Sequence, residues 1–369
     1  MKFQCKQSDL SHALDVVAHV IDTNVTLPVL NNILLRAEDG KVYFSATNLE
    51  MAVNYWMEAE VMMEGAVTVP AKLLSGYVSL LKDDQLECAL GEGLTLAITS
   101  AGSKTQIKCI AAEEYPSISP IEELVKIDLP LAIVPESINQ VSFASSSTST
   151  RPVLAGVYCE VGKSTLTMVA TDSFRLSEKK ITLDQPVTGE ANCIVPTRAV
   201  AELARLCGKV SGIERVEMAL GKNQVMFTVG EVQLYSRLIE GNFPNYRQIL
   251  PDEVKTSTTL YTADLTRAGK RINLFAKENN NKVLFDFQKD SLDLSTPATQ
   301  VGTEEGELPI SLDGEPGQIA LNSEFVLDLL AHLGSDQVDI GMNNSTSPAV
   351  FRPVDTDDFL HIIMPLKLQ

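Results

Sequence analysis

Three segments of the chain repeat one pattern of apolar residues. They read VPAKLLSGYVSLL from Val69, VPTRAVAELARLC from Val195 and LNSEFVLDLLAHL from Leu321, so each begins 126 residues after the one before. Apolar residues recur at positions i, i+3, i+4 and i+7, which is typical of a helix that packs on one side. In chain order these positions hold Leu74, Tyr77, Val78 and Leu81, then Val200, Leu203, Ala204 and Cys207, then Val326, Leu329, Leu330 and Leu333. The pattern predicts one helix in each third of the chain.

A further helix is predicted near the start of each third. The segments are SDLSHALDVVAHVI, PESINQVSFAS and TADLTRAGKRINLFA, in which Leu10, Ile138 and Leu265 take equivalent places. Between the helices lie runs rich in β-branched and aromatic residues, such as GVYCEVGKSTLTMVA, which alternate as half-buried strands do. Hairpin turns are predicted at Asp39-Gly40, Gly162-Lys163 and Lys289-Asp290.

Other landmarks recur at nearly the same distance in the first two thirds. Ala46 and Ala170 stand 124 residues apart, and Pro116 and Pro244 stand 128 apart. We therefore expect the α+β class, with three repeated domains of two helices plus antiparallel sheets each, over residues 1–126, 127–251 and 252–369. Three unrelated domains with chance similarity are the alternative, and the constant helix register argues against it.

Composition places the chain among ordinary globular proteins. It has 369 residues, of which 44% are hydrophobic and 21% charged. No stretch approaches the roughly 20 apolar residues of a membrane span, and the start MKFQCKQSDL lacks an apolar signal core. We expect a cytoplasmic protein without a membrane partner. The six cysteines form no C-x-x-C pair and the four histidines no ligand spacing, so no metal and no cofactor are expected.

Enzymatic alternatives find little support. The letters GKST from Gly162 resemble a phosphate-binding loop, but such a loop needs a glycine at position 157, where Val157 stands. No G-x-S-x-G occurs and the histidines lie far apart, so a hydrolase would need a site that no motif reveals. A net charge of −18 argues against a nucleic-acid partner and favours another alternative, an acidic interaction scaffold that does not bind DNA.

Several blocks, in this order along the chain, resemble one family. They are MKF at the start, TLPVLNNILL, FPNYRQILP, LLAHL and the tail IIMPLKL, and together they resemble the β subunit of bacterial DNA polymerase III, the β sliding clamp. The resemblance extends over essentially all 369 residues. It implies a non-enzymatic head-to-tail homodimer whose six domains form a ring around double-stranded DNA, with helices lining the hole. Implied partners are a clamp-loader complex, the replicative DNA polymerase, and other polymerases and repair proteins that carry clamp-binding peptide motifs.

An acidic chain can still hold DNA, because the Debye length at physiological salt is about 8 Å and distant carboxylates are screened. The helix faces opposite the apolar stripes carry the candidate DNA-facing cations Lys72, Arg198, Arg205, Arg267, Lys270 and Arg271. Glu202, Glu324 and Asp328 lie on similar faces, and an ordinary solvated helix face is the alternative. The family usually has arginine where this chain has Asn24, which makes Asn24 a further candidate.

The resemblance also implies a groove for partner peptides between the second and third domains. The matching residues are Arg151, Val153, Leu154, Thr171, Ser173, Phe174, Arg175, Leu176, Pro244, Ile249, Asn322, Phe325, Pro348, Ile362, Met364, Pro365 and Leu366. Aliphatic and methionine side chains suit varied partners, and Arg175 and Asn322 could bond a peptide backbone. The alternative is that Leu154, Leu176 and Ile249 are plain core.

Two departures from the family pattern affect these sites. The family commonly has Gly-His where this chain has Ser173 and Phe174. For ring closure, the matching residues are Ile107 on an edge strand and Leu274 with Phe275 on a helix. Thr105 stands near them where an aromatic residue is commoner.

Overall fold

The computed structural model describes residues 1–21, 27–148, 150–187, 189–251, 253–298 and 302–368. Its α-helices are α1 (Gln7–Ala18), α2 (Ala71–Ser79), α3 (Val134–Ser142), α4 (Thr197–Cys207), α5 (Thr262–Ala276) and α6 (Ser323–His332). Both predicted helices of each third are confirmed. Because α2, α4 and α6 begin at residues 71, 197 and 323, the structure keeps the 126-residue spacing of the sequence.

The strands follow the alternating runs. The first ten are β1 (Lys2–Lys6), β2 (Asn32–Glu38), β3 (Lys41–Thr47), β4 (Met51–Glu58), β5 (Glu60–Met63), β6 (Gly65–Pro70), β7 (Gln85–Gly91), β8 (Thr95–Ser100), β9 (Ser103–Lys108) and β10 (Val125–Pro130). The next seven are β11 (Gly156–Val161), β12 (Thr165–Thr171), β13 (Arg175–Thr182), β14 (Ala191–Pro196), β15 (Arg215–Leu220), β16 (Gln224–Val229) and β17 (Val232–Arg237). The others are β18 (Thr256–Tyr261), β19 (Lys282–Phe287), β20 (Ser291–Ser295), β21 (Glu305–Pro309), β22 (Asp313–Gly314), β23 (Gly317–Asn322), β24 (Gln337–Met342), β25 (Ala349–Pro353) and β26 (Phe359–Ile363).

The predicted helix stripes face the protein interior. All four predicted positions of the third segment are buried, as are Leu74 and Val78 in the first and Val200, Leu203 and Cys207 in the second; Tyr77, Leu81 and Ala204 are half-buried. Leu10, Ile138 and Leu265, the equivalent residues of the first helices, are at most 1% exposed. Burial of such a side chain contributes roughly 1.5–3 kcal/mol, so these stripes fix which face of each helix meets the sheets.

The hairpin predictions are also confirmed. Asp39 and Gly40 join β2 to β3, and both have positive φ, 49° and 74°. This is the backbone of a two-residue turn whose twist matches that of the strands. The loops after β11 and β19 fall where Gly162-Lys163 and Lys289-Asp290 predicted them.

The chain forms two compact units. The first consists of Met1–Val134 and Glu202–Leu238. It contains an eight-stranded sheet in the order β10-β15-β16-β17-β4-β3-β2-β6 and a five-stranded sheet in the order β5-β1-β7-β8-β9. Helices α1 and α2 pack against each other in this unit. The larger sheet runs from the middle third into the first third through the antiparallel pair β17 and β4.

The second unit consists of Pro135–Ala201 and Ile239–Gln369. Its nine-stranded sheet has the order β14-β11-β12-β13-β26-β25-β24-β18-β22, and a four-stranded sheet has the order β21-β20-β19-β23. Here too a sheet continues from one third into the next, through β13 and β26. The predicted boundary between residues 126 and 127 falls inside β10, which pairs with β15. A boundary shortly before Val125 fits that pairing better, because a paired strand belongs with its partner. The division into domains stays a prediction.

Candidate functional site

The loop between β12 and β13, which we name the β12–β13 turn (Thr171–Arg175), is held by its own side chains. The Thr171 hydroxyl donates to the Arg175 carbonyl at 2.6 Å and accepts from the Ser173 amide at 3.1 Å. The Asp172 carboxylate accepts from the amides of Phe174 and Arg175. Ser173 has a φ of 83°, in the region that favours glycine. The turn is therefore rigid, and it holds Phe174 out with 62% of its surface exposed.

The chain tail lies beside this turn. Strand β26 pairs with β13 so that Ile362 faces Leu176 and Ile363 faces Arg175. The Met364 amide then donates to the Phe174 carbonyl at 2.8 Å, and the Leu366 amide donates to Ala320 at 2.8 Å. These bonds bring together groove residues that the sequence places almost 200 positions apart.

The groove residues divide into a buried floor and an exposed rim. Leu154, Leu176 and Ile362 are at most 2% exposed, and Thr171 is buried as well. Leu176 and Ile362 pack with Val169, Tyr246 and Val350. For Leu154 and Leu176 the plain-core alternative is correct, since their side chains offer no surface to a partner. Ile249 is 42% exposed, so for it that alternative is wrong.

The rim consists of exposed and half-buried residues. Arg151, Ser173, Phe174, Pro244 and Ile249 are exposed. The half-buried members are Val153, Asn322, Phe325, Pro348, Met364, Pro365 and Leu366. Arg151 donates to the Ser173 hydroxyl at 3.1 Å. Aromatic, methionine and proline surface beside a fixed turn is what a binding site for a short peptide needs.

The structure corrects the role predicted for Arg175. Its guanidinium donates to Asp172 at 3.0 Å, to Asp328 at 2.7 Å and to the Phe143 carbonyl at 3.1 Å, and it lies 4.5 Å from the ring centre of Phe325. Only 10% of its side chain is exposed. Because its donors are already engaged, Arg175 ties the β12–β13 turn to α6 rather than offering bonds to a peptide.

Asn322 is also engaged within the chain. Its side-chain oxygen accepts from the amides of Glu324, at 2.9 Å, and Phe325, at 3.4 Å, and so it caps the N-terminus of α6. This cap corrects part of the prediction, because that oxygen is not available to a peptide backbone.

A buried histidine lies behind the rim. His361 is fully buried, bonds the Ser177 hydroxyl at 2.7 Å and stacks on Phe143 at 5.3 Å. Burial, together with the positive charge of Arg175, lowers the pKa of His361 to about 3. His361 is therefore neutral at physiological pH.

The first unit contains a turn of the same construction, which we name the β3–β4 turn (Thr47–Met51). The Thr47 hydroxyl donates to the Met51 carbonyl at 2.7 Å and accepts from the Leu49 amide at 3.0 Å. The Asn48 side chain accepts from the amides of Glu50 and Met51. Leu49 has a φ of 74°, as Ser173 has 83°. The repeated sequence thus builds one backbone frame twice.

The predicted DNA-facing cations are not equivalent. Lys72, Arg198 and Lys270 are exposed on α2, α4 and α5. Arg267 is also exposed and lies 3.3 Å from Asp264. Arg271 bonds Glu304 and keeps half of its side chain exposed. Asn24 lies outside the described residues.

Arg205 is used inside the chain, contrary to the prediction. Its guanidinium bonds both carboxylate oxygens of Glu202 and donates to the Val16 carbonyl at 2.7 Å near the end of α1. Glu202 is 3% exposed and also lies 2.6 Å from His19. A buried carboxylate must be paired, so this arginine links α4 to α1 instead of facing DNA.

The residues predicted for ring closure also differ from one another. Leu274 is 68% exposed and Phe275 is half-buried on α5. Ile107 is only 3% exposed, which contradicts its assignment as an interface side chain. Its strand β9 is nonetheless one edge of the five-stranded sheet, and β21 is one edge of the four-stranded sheet. The backbone edge of β9, rather than the Ile107 side chain, is the available feature.

Sequence reasoning missed several exposed residues near these edges. Leu73, in α2, is 57% exposed, and Leu80, which directly follows α2, is 86% exposed. The exposed charges Lys104 and Lys108 lie on β9, and Glu305 and Glu307 on β21. Leucines seven residues apart, outside the main stripe, were a signal of a further apolar face on α2.

The described residues contain neither a candidate metal site nor a candidate membrane-spanning helix. No group of three or more histidine, cysteine or acidic side chains in this part of the chain could hold a metal ion. None of its helices is long and apolar enough to cross a membrane.

Comparisons with known proteins agree over the whole length. Models of the DNA polymerase III beta subunit match residues 1–119 (N-terminal domain), 128–245 (central domain) and 247–367 (C-terminal domain). The beta sliding clamp of Synechocystis sp. is 31% identical and that of Bacillus subtilis 26% identical, each with 100% of both chains covered. The crystal structure of a DnaN sliding clamp from Pseudomonas aeruginosa bound to griselimycin is similar with a TM-score of 0.95 and 26% identity, again over 100% of both chains.

Proposed function

Because the chain belongs to the DNA polymerase III beta subunit family, the β sliding clamps, we propose that two copies close head to tail into a ring around duplex DNA. The three family matches follow one another along the chain, so the threefold repeat is the family's domain arrangement. The protein is a sliding clamp of DNA replication. How its ring closes, what faces the DNA and where partners dock are the finer parts of the proposal.

Ring closure is supported by a joint that recurs along the chain. In the first unit β4 pairs with β17, and Arg205 links α4 to the end of α1. In the second unit β13 pairs with β26, and Gln140 of α3 donates to the Leu333 carbonyl at the end of α6 at 3.1 Å. Each joint therefore connects one third to the next through a strand pair and a helix pair. Among the described elements, two pairs take part in no such joint: edge strand β21 with α5, and edge strand β9 with α2.

The two free ends are complementary. Edge strand β9 presents Lys104 and Lys108, and edge strand β21 presents Glu305 and Glu307. Beside β9, the Tyr77 hydroxyl of α2 bonds Ser103 at 2.8 Å, so the exposed leucines of α2 belong to the same surface. The exposed Leu274 of α5 supplies an apolar counterpart. A second copy would pair its β9 with this chain's β21 and repeat the same joint.

DNA would be held by weak and scattered charges inside the ring. Lys72, Arg198, Arg267 and Lys270 are the exposed candidates that remain after Arg205 is removed, and half-exposed Arg271 adds a partly neutralised one. Phosphate attraction is local, so a net charge of −18 does not oppose it. A clamp that encloses DNA needs no tight contact, and tight contacts would stop it from sliding.

Partners would dock at the rim beside the β12–β13 turn. The hydrogen bond from Met364 to Phe174 fixes the tail against the turn. Pro244 and Ile249 are exposed on either side of Tyr246, which packs with Leu176 and Ile362. We propose that the replicative polymerase, other polymerases, repair proteins and a clamp-loader complex insert short apolar peptide segments here. The protein would act in the cytoplasm as a tether, without catalysis of its own.

Retention on DNA tests the ring. The clamp is loaded onto nicked circular plasmid with a clamp-loader complex and ATP, and the DNA is then separated from free protein by gel filtration. We expect the protein to travel with the circle and to be lost when one restriction cut makes the DNA linear. Equal retention on both forms would indicate ordinary binding instead of enclosure, and no retention on either would favour an acidic scaffold that never meets DNA.

Charge reversal tests the interface between copies. We expect K104E/K108E and E305K/E307K to raise the dimer Kd at least tenfold, because each places like charges along paired edges. An equimolar mixture should form dimers again, since both of its interfaces then have opposite charges. Light scattering after size exclusion measures the mass. If the single variants stay dimeric, or the mixture stays monomeric, the edges are not the interface.

A matched pair of variants tests the groove. Met364→Ala removes an apolar rim side chain, and we expect tenfold weaker binding of a fluorescent clamp-binding peptide with dimer mass unchanged. By the strand registers, the corresponding position in the first unit is Arg237. Arg237→Ala should leave peptide affinity within twofold. Unchanged affinity for Met364→Ala would remove this rim as the docking site.

A further inference from the structure

The five-stranded sheet has a further edge that ring closure leaves unused. Strand β5 (Glu60–Met63) pairs with β1 on one side and, among the described strands, with none on the other. Natural proteins protect such edges, because unpaired backbone groups recruit other strands. The edge at β9 has a use in the proposed ring, whereas the edge at β5 has none.

Strand β5 has usual protections of an edge, since it is four residues long, carries Glu60 and has a register shift against β1, but it also exposes apolar side chains. Met62 is 44% exposed and Met63 is 62% exposed. Methionine is flexible and polarizable, and it recurs on surfaces that accept varied partners. Two adjacent exposed methionines on an edge strand form an apolar surface, and its contact with water is unfavourable.

Three exposed glutamates lie in and beside β5, and the lysine opposite Glu58, Lys41, lies over the Trp56 ring at 3.6 Å. Glu58, Glu60 and Glu64 are exposed, and none of the three has an ion pair within the described residues. Glu64 accepts only a 3.4 Å bond from the Asp39 amide. The cation nearest in the sheet, Lys2 opposite Met63, is paired with Glu87 at 2.9 Å. The edge therefore combines free backbone groups, apolar surface and uncompensated negative charge.

We propose that β5 is a docking edge for an extended segment of another protein in which lysine or arginine alternates with aliphatic residues. Such a segment would add as a strand, with backbone hydrogen bonds along β5. Its aliphatic side chains would cover Met62 and Met63, and its cations would meet Glu58, Glu60 and Glu64. The site is independent of the groove beside the β12–β13 turn and of both edges in the proposed ring.

Fluorescence anisotropy with a labelled peptide of alternating lysine and valine tests this docking on the full-length protein. We expect saturable binding that E60K/E64K weakens at least tenfold and that Met63→Ser weakens about threefold. The double variant E113K/E114K changes charge by the same amount on another exposed segment, and it should bind within twofold of the natural chain. Equal losses in the two double variants would show that only net charge matters, and would overturn the proposal.

A second probe separates strand addition from charge attraction alone. The same peptide, N-methylated at every second residue, keeps its charges and loses the donors of one edge. We expect it to bind at least tenfold more weakly, and hydrogen exchange of the β5 amides should slow only with the unmethylated peptide. Equal affinity of the two peptides would exclude strand addition.

Circular dichroism melting of each variant checks that the fold is retained. A peptide-dependent rise in mass to a tetramer would assign the edge to a further copy of the chain instead.

Discussion

In each unit, the strand after an equivalent turn pairs with a strand from the next third: β4 with β17, and β13 with β26. Both turns use a threonine hydroxyl and an Asn or Asp side chain for the same backbone bonds, and both hold one residue at positive φ. The side chains then differ. Where the second turn exposes Phe174, the first has Glu50, and where the tail has Met364, the first unit has Arg237. The repeat supplies the same backbone frame twice, and a few substitutions distinguish the turn of the first unit from the candidate docking site of the second.

The helices at the two joints are also tied differently. In the first unit Arg205 and the buried Glu202 form an ion pair that bonds the end of α1. In the second unit the corresponding link starts from the sheet: Arg175 of β13 donates to Asp328 of α6 and to the Phe143 carbonyl. Only the second arrangement couples the candidate groove to a helix, because its arginine belongs to the turn itself.

Removal of Arg205 should have the largest effect. Arg205→Ala leaves the Glu202 carboxylate buried with His19 as its remaining charged partner among the described residues, and we expect the free energy of unfolding of the first unit to fall by about 3 kcal/mol. Trp56 is the only tryptophan and lies in β4, so its fluorescence in urea reports on this unit.

Arg175→Ala is the matched control at the other joint. We expect it to leave the Trp56 transition unchanged, although it loosens the second unit. A change of less than about 1 kcal/mol for Arg205→Ala would mean that the buried pair contributes no more than a surface ion pair does.

Protonation of His361, which lies at the joint of the second unit, should have an effect of intermediate size on the free energy of unfolding. The folded pKa of His361 is about 3, below the roughly 6.5 of the unfolded chain. Its contribution to stability is therefore complete above pH 6.5 and is lost as the pH falls from 6.5 towards 3, because the unfolded chain takes up the proton first. Between pH 7 and 5 this amounts to about 2 kcal/mol. His361→Asn should remove that part of the slope, measured by urea unfolding with circular dichroism at each pH. Parallel curves for the two chains would contradict the assignment.

Glycine at the two positive-φ positions should have the smallest effect and should act equally. We expect Ser173→Gly and Leu49→Gly each to raise the free energy of unfolding by about 0.5 kcal/mol, since the relieved strain of about 1 kcal/mol exceeds the entropy that glycine loses on folding. The Arg151 bond to Ser173 is exposed and its loss costs little. Thermal melts measure both. Effects of opposite sign would show that the two frames are not energetically alike.

Local features of the fold could be predicted from the sequence. Helical periodicity depends on residues three and four apart, so the stripes of α2, α4 and α6 were found with their register. The hairpin at Asp39-Gly40 depends on two adjacent residues and was found as well. The pairing of β4 with β17 joins residues almost 180 positions apart, and no local pattern encodes it.

The candidate site could be located through its resemblance to a family, but not its internal chemistry. A guanidinium looks the same in a sequence whether it faces solvent or is bonded, as Arg175 and Arg205 are here. Ile107 was assigned to the interface from the resemblance to the family, which does not reveal that its side chain is buried within the chain. Leu73 and Leu80 are exposed because no described element packs over them. That depends on the tertiary arrangement, which the local sequence pattern does not contain.

The continuity of the larger sheets from one third into the next also bears on how the chain folds during synthesis. Strand β4 is made early, but its neighbour β17 ends at Arg237, so the first unit stays incomplete until the ribosome has released nearly two thirds of the polypeptide. During that interval β4 is an uncovered edge, and a nascent-chain chaperone would find its substrate there. Halting translation before residue 232 should leave an aggregation-prone intermediate that becomes soluble once β17 emerges.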